Sequence, residues 1–381
     1  MIYFDNAATS FPKPESVYRA VDNTLRNIGA SPGRSGHTMT LEAERIVFNV
    51  RELIAGLFNI SDSSRVIFTN NATSALNLGI KGVLSDGDHV ITSTTEHNSV
   101  TRPLKSLERK GVEISKVKCP DEGKIDPKDV ASQIKGNTKL IVITHASNVI
   151  GTVLPLNEIG NIARKNNIIF MVDASQTAGC FPIDVQSMNI DLLVCSGHKS
   201  LLGPQGTGVL YVREGIDLKT LCEGGTGSDS EKDTQPRFLP DRYESGTLNT
   251  PGIAGLGAAI EYIQDTGIKK IREHEKKLTK LIIEELSKID GTIIYGTTDI
   301  EKRAPIVSFN IEGFDAANIA TILSEDFDIM TRVGLHCSPD AHKTIGTFPS
   351  GTLRFSFNYF NTEDEIHAGV RAIKEIINSK C

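Results

Sequence analysis

The stretch DLLVCSGHKSLLGPQGTG, residues 191–208, decides the fold of this chain. It opens with a short apolar run that suits a buried strand, and a Gly-punctuated turn containing Ser196, His198 and Lys199 follows directly. In α/β sheets, ligands bind at the carboxyl ends of the strands. Partial burial at such a place favours the neutral amine that a Schiff base requires. The stretch therefore predicts a reactive Lys199, although most single lysines are solvated surface residues.

Six further β-rich runs surround this one and alternate with amphipathic stretches such as 156–167. Alternation of this kind predicts an α/β fold, with a mostly parallel sheet that helices cover on both faces. The seven runs are 65–69, 89–94, 112–118, 139–146, 168–174, 191–197 and 208–213.

The remaining segments predict a second, smaller domain. A chain of 381 residues favours one large domain and one small one. Residues 223–237 are polar and Gly-rich, which predicts a mobile surface loop. A helical region at 252–289 then bridges to an α+β part. We expect a large domain at 16–251, and a small domain formed by 1–15 together with 252–381.

Composition and charge limit the class of partner. Hydrophobic residues make up 39% and charged residues 23%, which is ordinary for a globular protein. The net charge is -6, and no Lys/Arg cluster predicts a nucleic-acid or membrane-surface partner. No apolar stretch reaches the roughly 18 residues that span a bilayer, and the start MIYFDNAATS does not resemble a leader. We expect a cytoplasmic protein.

The cysteines predict a single working thiol rather than a metal site. They show no CxxC spacing, which argues against zinc and against a disulfide framework, so no metal is predicted. The six are Cys119, Cys180, Cys195, Cys222, Cys337 and Cys381.

Two residues, one at the end of strand 168–174 and one just after it, are suited to contact a pyridine ring held by Lys199. Asp173 ends that strand, and a carboxylate keeps a pyridinium nitrogen protonated, which makes the ring an electron sink. Gln176 is placed to donate a hydrogen bond to the ring's phenolic oxygen. Capping of the next helix is the alternative role for Asp173.

Three other turns carry further candidates. Ala72, Thr73 and Ser74 open a helix whose free N–H groups suit a phosphate, unless Thr73 or Ser74 is an ordinary N-cap. His97 either stacks on the ring or caps a helix. Asn148 either reaches the ring oxygen or makes the turn before Gly151.

The chain as a whole resembles the class V aminotransferase family, and within it the cysteine desulfurase and selenocysteine lyase branch. The resemblance covers nearly the whole length in order. The matching motifs are YFDNAAT, GRSGHT (33–38), TNNATSALN, TEHNSV, SNVIGT, VDASQ, SGHK, ESGTLNT (244–250), RVGLHCSPDAH (332–342) and LRFSFNYFNTEDEI (353–366).

The resemblance implies fold type I of the enzymes that depend on pyridoxal 5'-phosphate, with a seven-stranded sheet, and a homodimer. It assigns the covalent bond with the cofactor to Lys199 and ring stacking to His97. The remaining cofactor contacts that it implies are Ala72, Thr73, Asn148, Asp173, Gln176, Ser196, His198 and, from the neighbouring subunit, Thr247. The substrate contacts that it implies are Arg354, which suits a carboxylate through its guanidinium fork, with Asn148, His37 and Arg332.

Cys337 decides the reaction within the family. A lone cysteine is usually a small buried hydrophobe. Here it follows Arg332 and His336 and precedes His342, and nearby cations favour the nucleophilic thiolate. The resemblance then implies that Lys199 or His97 shuttles the α-proton of L-cysteine or L-selenocysteine. Alanine leaves, and Cys337 keeps a persulfide for an acceptor protein.

Two departures from the family pattern and three rival interpretations accompany this prediction. One departure is the segment DAHKTIGTFPSG (340–351) that follows the cysteine. The ordered-loop branch commonly shows His-His-Cys-Ala, whereas this chain has Leu335-His336-Cys337-Ser338. A different class V activity, such as an aminotransferase or a lyase without thiol catalysis, shares the cofactor site. A degenerate scaffold protein would have lost Lys199, and a nucleotide-binding protein would show a GxGxxG or GxxxxGK[ST] run.

Overall fold

The computed structural model describes residues 1–33, 36–120 and 122–379. Arg34 and Ser35 of the GRSGHT motif, and Cys381, lie outside the described residues. The strands are β1 Ile2–Tyr3, β2 Val66–Thr69, β3 His89–Ser93, β4 Glu113–Val117, β5 Thr138–Thr144, β6 Ile169–Asp173, β7 Leu192–Ser196, β8 Gly208–Val212, β9 Thr292–Tyr295, β10 Ile306–Ile311, β11 Ile329–Met330, β12 Arg332–Gly334 and β13 Thr352–Ser356. The helices are α1 Glu15–Asn27, α2 Thr38–Phe58, α3 Ala72–Val83, α4 Asn98–Glu108, α5 Pro127–Ser132, α6 Leu156–Lys165, α7 Thr250–Thr266, α8 Ile268–Leu286, α9 Ala316–Phe327, α10 Pro339–Thr344 and α11 Glu363–Asn378.

The central sheet confirms the predicted fold class. Its seven strands stand in the order β2-β8-β7-β6-β5-β3-β4, and β8 alone runs antiparallel to its neighbours. Every β-rich run of the sequence supplies one of these strands. Strands such as β5 and β7 are buried along nearly their whole length, because helices cover both faces of the sheet. The carboxyl ends of six strands consequently meet at one edge.

The helical region after the surface segment consists of two helices rather than one. Segment 223–237 contains neither helix nor strand and is mostly exposed, as predicted for a surface loop. Helix α7 ends at Gly267, whose φ of 88° lies in the region that favours glycine, and α8 begins one residue later. The predicted range 252–289 therefore contains a break.

A second hydrophobic core lies in the carboxyl-terminal part. The antiparallel sheet β12-β13-β10-β9 packs with α8, α9 and α11 around Phe309 and Phe355, whose ring centroids are 5.2 Å apart. Phe4 joins this core, and β1 pairs with β11. The amino terminus thus lies with the carboxyl-terminal part, whereas the apolar residues of α7 pack in the core of the central sheet. The predicted boundaries at 16–251 and 252–381 stay a prediction. None of the helices in the described ranges is long and apolar enough to cross a membrane.

Gly208 brings β8 against the start of α3. A Cβ atom at this position would lie 2.4 Å from the backbone carbon of Asn71, the residue that precedes α3. We expect Gly208→Ala to lower the free energy of unfolding by about 1–3 kcal/mol, because backbone must shift. Urea unfolding measures this change.

Gly56→Ala is the matched control. Gly56 is exposed within α2, and the space within 4 Å of the position that its Cβ would take is open, so alanine should stabilise the protein by roughly 0.5–1 kcal/mol. Equal effects of the two substitutions would show that the contact with Asn71 is unimportant.

Candidate active site

A cavity of about 180 Å³, the Lys199 cavity, lies at the carboxyl ends of the central strands. It collects every predicted cofactor contact except Thr247. These nine lining residues are Ala72, Thr73, His97, Asn148, Asp173, Gln176, Ser196, His198 and Lys199. They come from five separate turns of the chain, so the parallel sheet is what brings them together.

Burial makes Lys199 a reactive amine. Desolvation lowers the pKa of its ammonium to about 8, while the charge of Asp173 acts in the opposite direction. Positive charges on Arg354 and Arg332 lower this pKa further. A substantial fraction of Lys199 is therefore the neutral, nucleophilic amine near pH 8.

Asp173 and Gln176 are buried and hold fixed orientations. One carboxylate oxygen of Asp173 accepts hydrogen bonds from the backbone N–H and the hydroxyl of Ser175, at 3.0 and 2.6 Å. Among the described residues, its second oxygen receives no hydrogen bond and remains for another donor. Gln176 donates from Nε2 to the carbonyl of Ala7 at 3.0 Å, which leaves its amide oxygen without such a constraint.

The first turn of α3 faces the cavity with its helix amides. The N-cap is Asn71, whose side chain accepts from the Ser74 N–H at 2.9 Å, so the alternative caps Thr73 and Ser74 are wrong. The Thr73 hydroxyl instead lies 2.7 Å from the Ser99 hydroxyl. Asn71 satisfies one amide of the turn and leaves the N–H groups of Ala72 and Thr73 for an anion.

The two histidines of the cavity are neutral. Burial, reinforced by the charge of Lys199, lowers the pKa values of both His97 and His198 to about 4. His97 also caps α4, because its Nδ1 accepts from the Ser99 N–H at 3.1 Å. Capping and lining the cavity are thus compatible roles. His198 is held through Nδ1, which lies 3.1 Å from the Thr9 hydroxyl.

Cys337 lies on a strained backbone turn, the Cys337 loop (residues 335–338). His336 and Cys337 have φ values of 46° and 59°, in the left-handed region that non-glycine residues rarely adopt. The Asn148 amide holds this turn on both sides: it donates to the His336 carbonyl at 2.6 Å and accepts from the Ser338 hydroxyl at 2.7 Å. The Asn98 N–H donates to the Cys337 carbonyl at 2.8 Å.

These contacts give Asn148 a role that the sequence did not predict. Its side chain lines the Lys199 cavity and also fixes the residues on either side of Cys337. Ser338 is fully buried, and its hydroxyl is the donor that the Asn148 oxygen accepts. Serine at position 338 thus has a structural function.

The positive charge near Cys337 comes from Arg332 and not from the neighbouring histidines. The exposed Cys337 sulfur lies 3.9 Å from an Arg332 guanidinium nitrogen. Burial lowers the pKa of His336 to about 2 and that of His342 to about 4, so both rings are neutral. The sequence-based expectation that these histidines act as cations is wrong, because it took no account of their burial.

Arg354 presents a buried guanidinium with one unpartnered nitrogen. Nη2 donates to the Asp5 carboxylate at 2.7 Å, and Nη1 donates to the Asn148 carbonyl at 2.8 Å. Its Nε is buried and has no partner among the described residues. A ligand carboxylate would satisfy that donor.

Five predicted residues do not line the Lys199 cavity of this chain. Three of them, Arg332, Cys337 and Arg354, lie near enough for their charges to act on Lys199. The other two, Thr247 and His37, lie apart from it. Thr247 is exposed and lies beside a different depression, together with Leu248. His37 is exposed and caps α2 through the Thr40 N–H. Their predicted roles stay predictions. Across the described ranges, no three His, Cys, Asp or Glu side chains are arranged to hold a metal ion.

Glu96 is a site residue that sequence reasoning missed. It is fully buried beside His97, and Oε1 accepts from the Ser93 hydroxyl at 2.5 Å and from the Thr144 N–H at 3.1 Å. Burial raises its pKa to about 8, so it is a neutral acid at pH 7. An acidic residue directly after a buried strand was the available signal. Asp5, which accepts a hydrogen bond from Arg354, was likewise visible only as part of the YFDNAAT motif.

Comparisons with known proteins agree with this geometry. The sequence profile of the Aminotransferase class-V family matches residues 2–368. A probable cysteine desulfurase of Methanothermobacter thermautotrophicus is 36% identical over 98% of this chain and 94% of its own. A cysteine desulfurase of Salmonella agona is 31% identical over 99% and 93%. The apo structure of the cysteine desulfurase from Thermococcus onnurineus NA1 superposes with a TM-score of 0.92, at 32% identity over 99% and 95%. This likeness confirms the predicted fold type.

The Ser338 hydroxyl can be removed to test the Cys337 loop. Ser338→Ala leaves the buried Asn148 oxygen without its donor, at a cost of about 1–3 kcal/mol, so the strained turn opens more often. Hydrogen exchange followed by mass spectrometry should show that the backbone amides of residues 335–338 exchange roughly 5- to 150-fold faster in the variant than in the wild type, because the turn opens locally.

Ser61→Ala is the matched control, because Ser61 is exposed and far from the loop in sequence. Unchanged exchange in Ser338→Ala would mean that the Asn148 contacts do not hold the turn.

Proposed function

The chain belongs to the class V aminotransferase family, and from that premise we propose that it is a cysteine desulfurase that depends on pyridoxal 5'-phosphate. It converts L-cysteine to L-alanine and leaves the sulfur on Cys337. One observation carries this proposal: Asn148 lines the Lys199 cavity and also holds both neighbours of the exposed Cys337 thiol. The reactive amine and the thiol therefore face one substrate site, and their charges act on each other.

The cavity fits the cofactor that we propose. Lys199 supplies the amine for the covalent bond, and Asp173 has an unengaged oxygen for the pyridinium nitrogen. The N–H groups of Ala72 and Thr73, with Ser196 and His198, suit the phosphate. His97 supplies a flat ring against the pyridine. When bound, pyridoxal 5'-phosphate draws electrons away from the α-carbon of the amino acid.

Side chains of this protein then perform the remaining steps. Arg354 binds the carboxylate of cysteine through its unpartnered Nε, with Arg332 as the second cation at the site. The Lys199 amine accepts the α-proton, since a pKa of about 8 makes it a better base near neutral pH than His97 at about 4.

Sulfur transfer follows from the position of Cys337. Its thiolate, beside Arg332, attacks the sulfur of the bound cysteine, and the carbon–sulfur bond breaks. The β-carbon gains a proton, Lys199 returns the α-proton to the α-carbon, and alanine leaves while Cys337 carries a persulfide. The strained turn keeps the thiol aimed outward at an exposed position instead of packed in the core.

The wider assembly is part of the same proposal. We infer a cytoplasmic homodimer in which Thr247, and also His37, reach the partner's site, since both are exposed here and lie apart from their own cavity. A sulfur acceptor protein completes the cycle. L-selenocysteine remains a predicted second substrate, to be compared with L-cysteine in parallel kinetics.

Replacement of the thiol tests the proposed reaction. Cys337→Ala should lower the rate of alanine release from L-cysteine by about a thousandfold or more. Among the other described cysteines, Cys119, Cys180 and Cys195 are buried and Cys222 lies at a different depression. The absorbance of the bound cofactor should be unchanged. Amino-acid analysis of the reaction mixture measures alanine directly.

Cys222→Ala is the matched control, since Cys222 is also an exposed free cysteine. It should keep full activity. Alanine release by Cys337→Ala at the wild-type rate would instead identify a class V enzyme that does not need the thiol.

The pH dependence of the amine gives an independent test. A lysine with a lowered pKa is protonated below that pKa and neutral above it, so covalent attachment of pyridoxal to the apoprotein should rise with a midpoint near pH 8. Borohydride trapping followed by mass spectrometry locates and quantifies the adduct at Lys199. A midpoint near 10.5, the ordinary value for lysine, would contradict the proposed environment.

A further inference from the structure

A groove of about 400 Å³, the α3–α4 groove, runs outward from Cys337. Its walls are the exposed faces of α3, from Thr73 to Lys81, and of α4, around Arg102. It shares Thr73, His97 and Ser99 with the Lys199 cavity, and Cys337 lines the groove beside these shared residues. A molecule in this groove would therefore contact Cys337 next to the Lys199 cavity.

The groove has a positive charge without counter-ions. Lys81 and Arg102 both line it, and none of its lining residues is acidic. Within the described ranges, neither cation forms a salt bridge. Lys105, one turn further along α4, does pair with Glu108. These two cations, without an acidic neighbour in the groove, favour an anionic occupant.

The second half of the proposed reaction needs such an occupant. A persulfide on Cys337 is discharged when a thiolate attacks its terminal sulfur. A new sulfur–sulfur bond then forms on the acceptor, the bond to the Cys337 sulfur breaks, and Cys337 leaves as the thiolate. The acceptor thiol loses its proton to water and no external oxidant or reductant is consumed. Nearby positive charge increases the thiolate fraction of the incoming group.

We propose that the α3–α4 groove receives an acidic, cysteine-bearing segment of the acceptor protein. This inference rests on the proposed desulfurase function and specifies its partner. The helix face from Thr73 to Lys81 is roughly 12 Å long at 1.5 Å per residue, which matches three to four residues of extended peptide. A small thiol would occupy only a part of that length.

Charge-varied peptides on the holoenzyme test the groove. One equivalent of L-cysteine loads Cys337, and the alanine formed counts the persulfides. Three capped pentapeptides with a central cysteine and flanking Asp, Ser or Lys residues then act as acceptors. Each peptide's reaction with a small trisulfide in solution corrects for its own thiol reactivity. We expect the Asp peptide to discharge the persulfide roughly tenfold faster than the Lys peptide at low salt, and the ratio to fall as salt rises.

Charge reversal assigns the preference to the groove. In the double variant Lys81→Glu/Arg102→Glu, the ratio of the Asp-peptide rate to the Lys-peptide rate should fall to about one or below one, because like charges now face the Asp peptide. The matched control is Lys110→Glu/Lys139→Glu, which changes the net charge equally at two exposed lysines beyond the end of α4 and at the start of β5. It should keep the wild-type ratio.

The possible outcomes separate the two proposals. Absence of an alanine burst in the wild type would contradict the desulfurase function itself. A normal burst followed by equal discharge rates with all three peptides would overturn the groove proposal alone. Equal changes of the Asp-to-Lys rate ratio in the two double variants would do the same. If 3-mercaptopropionate and cysteamine differ as much as the peptides do, the acceptor is a small thiol and the protein segment is ruled out.

Discussion

The hydrogen bonds of the Asn148 side chain are the constraint on which the rest of the site depends. One amide group holds the carbonyl of His336 and the hydroxyl of Ser338, and so fixes the backbone of Cys337 in a conformation that costs about 1–3 kcal/mol. The same residue lines the cavity of Lys199. A thiol from the small carboxyl-terminal sheet and an amine from the large sheet are thereby kept at one site.

Burial then sets the charge of each group around that site. It makes Lys199 a partly neutral base and keeps His97, His198 and His336 uncharged. The cations that remain are arginines, whose pKa is too high for burial to neutralise them near pH 7. Arg354 in particular keeps its charge through Asp5. Positive charge therefore belongs to the groups that we propose for carboxylate binding, and we assign proton transfer to Lys199.

Local sequence predicted the elements that position this site. The seven strands and the residues after them followed from alternating apolar runs, since strand burial is a property of neighbouring residues. The helix break at Gly267 was missed, because a glycine within a helical pattern is often tolerated. The alternative of an α3 cap at Thr73 or Ser74 is wrong. The cap is Asn71, two or three residues earlier, because capping depends on backbone angles that the sequence leaves open.

The sequence by itself determined the fold class through its alternating apolar runs, and it predicted the reactive lysine, its carboxylate and the thiol from short motifs. Only the tertiary structure decided that Asn148 holds Ser338, a contact across 190 residues of chain. Only it showed that the histidines beside Cys337 are neutral and that Lys81 and Arg102 lie unpaired along one groove. Hydrogen-bond partners, burial and the sharing of charge depend on distances between remote segments, and those distances exist only after the chain has folded.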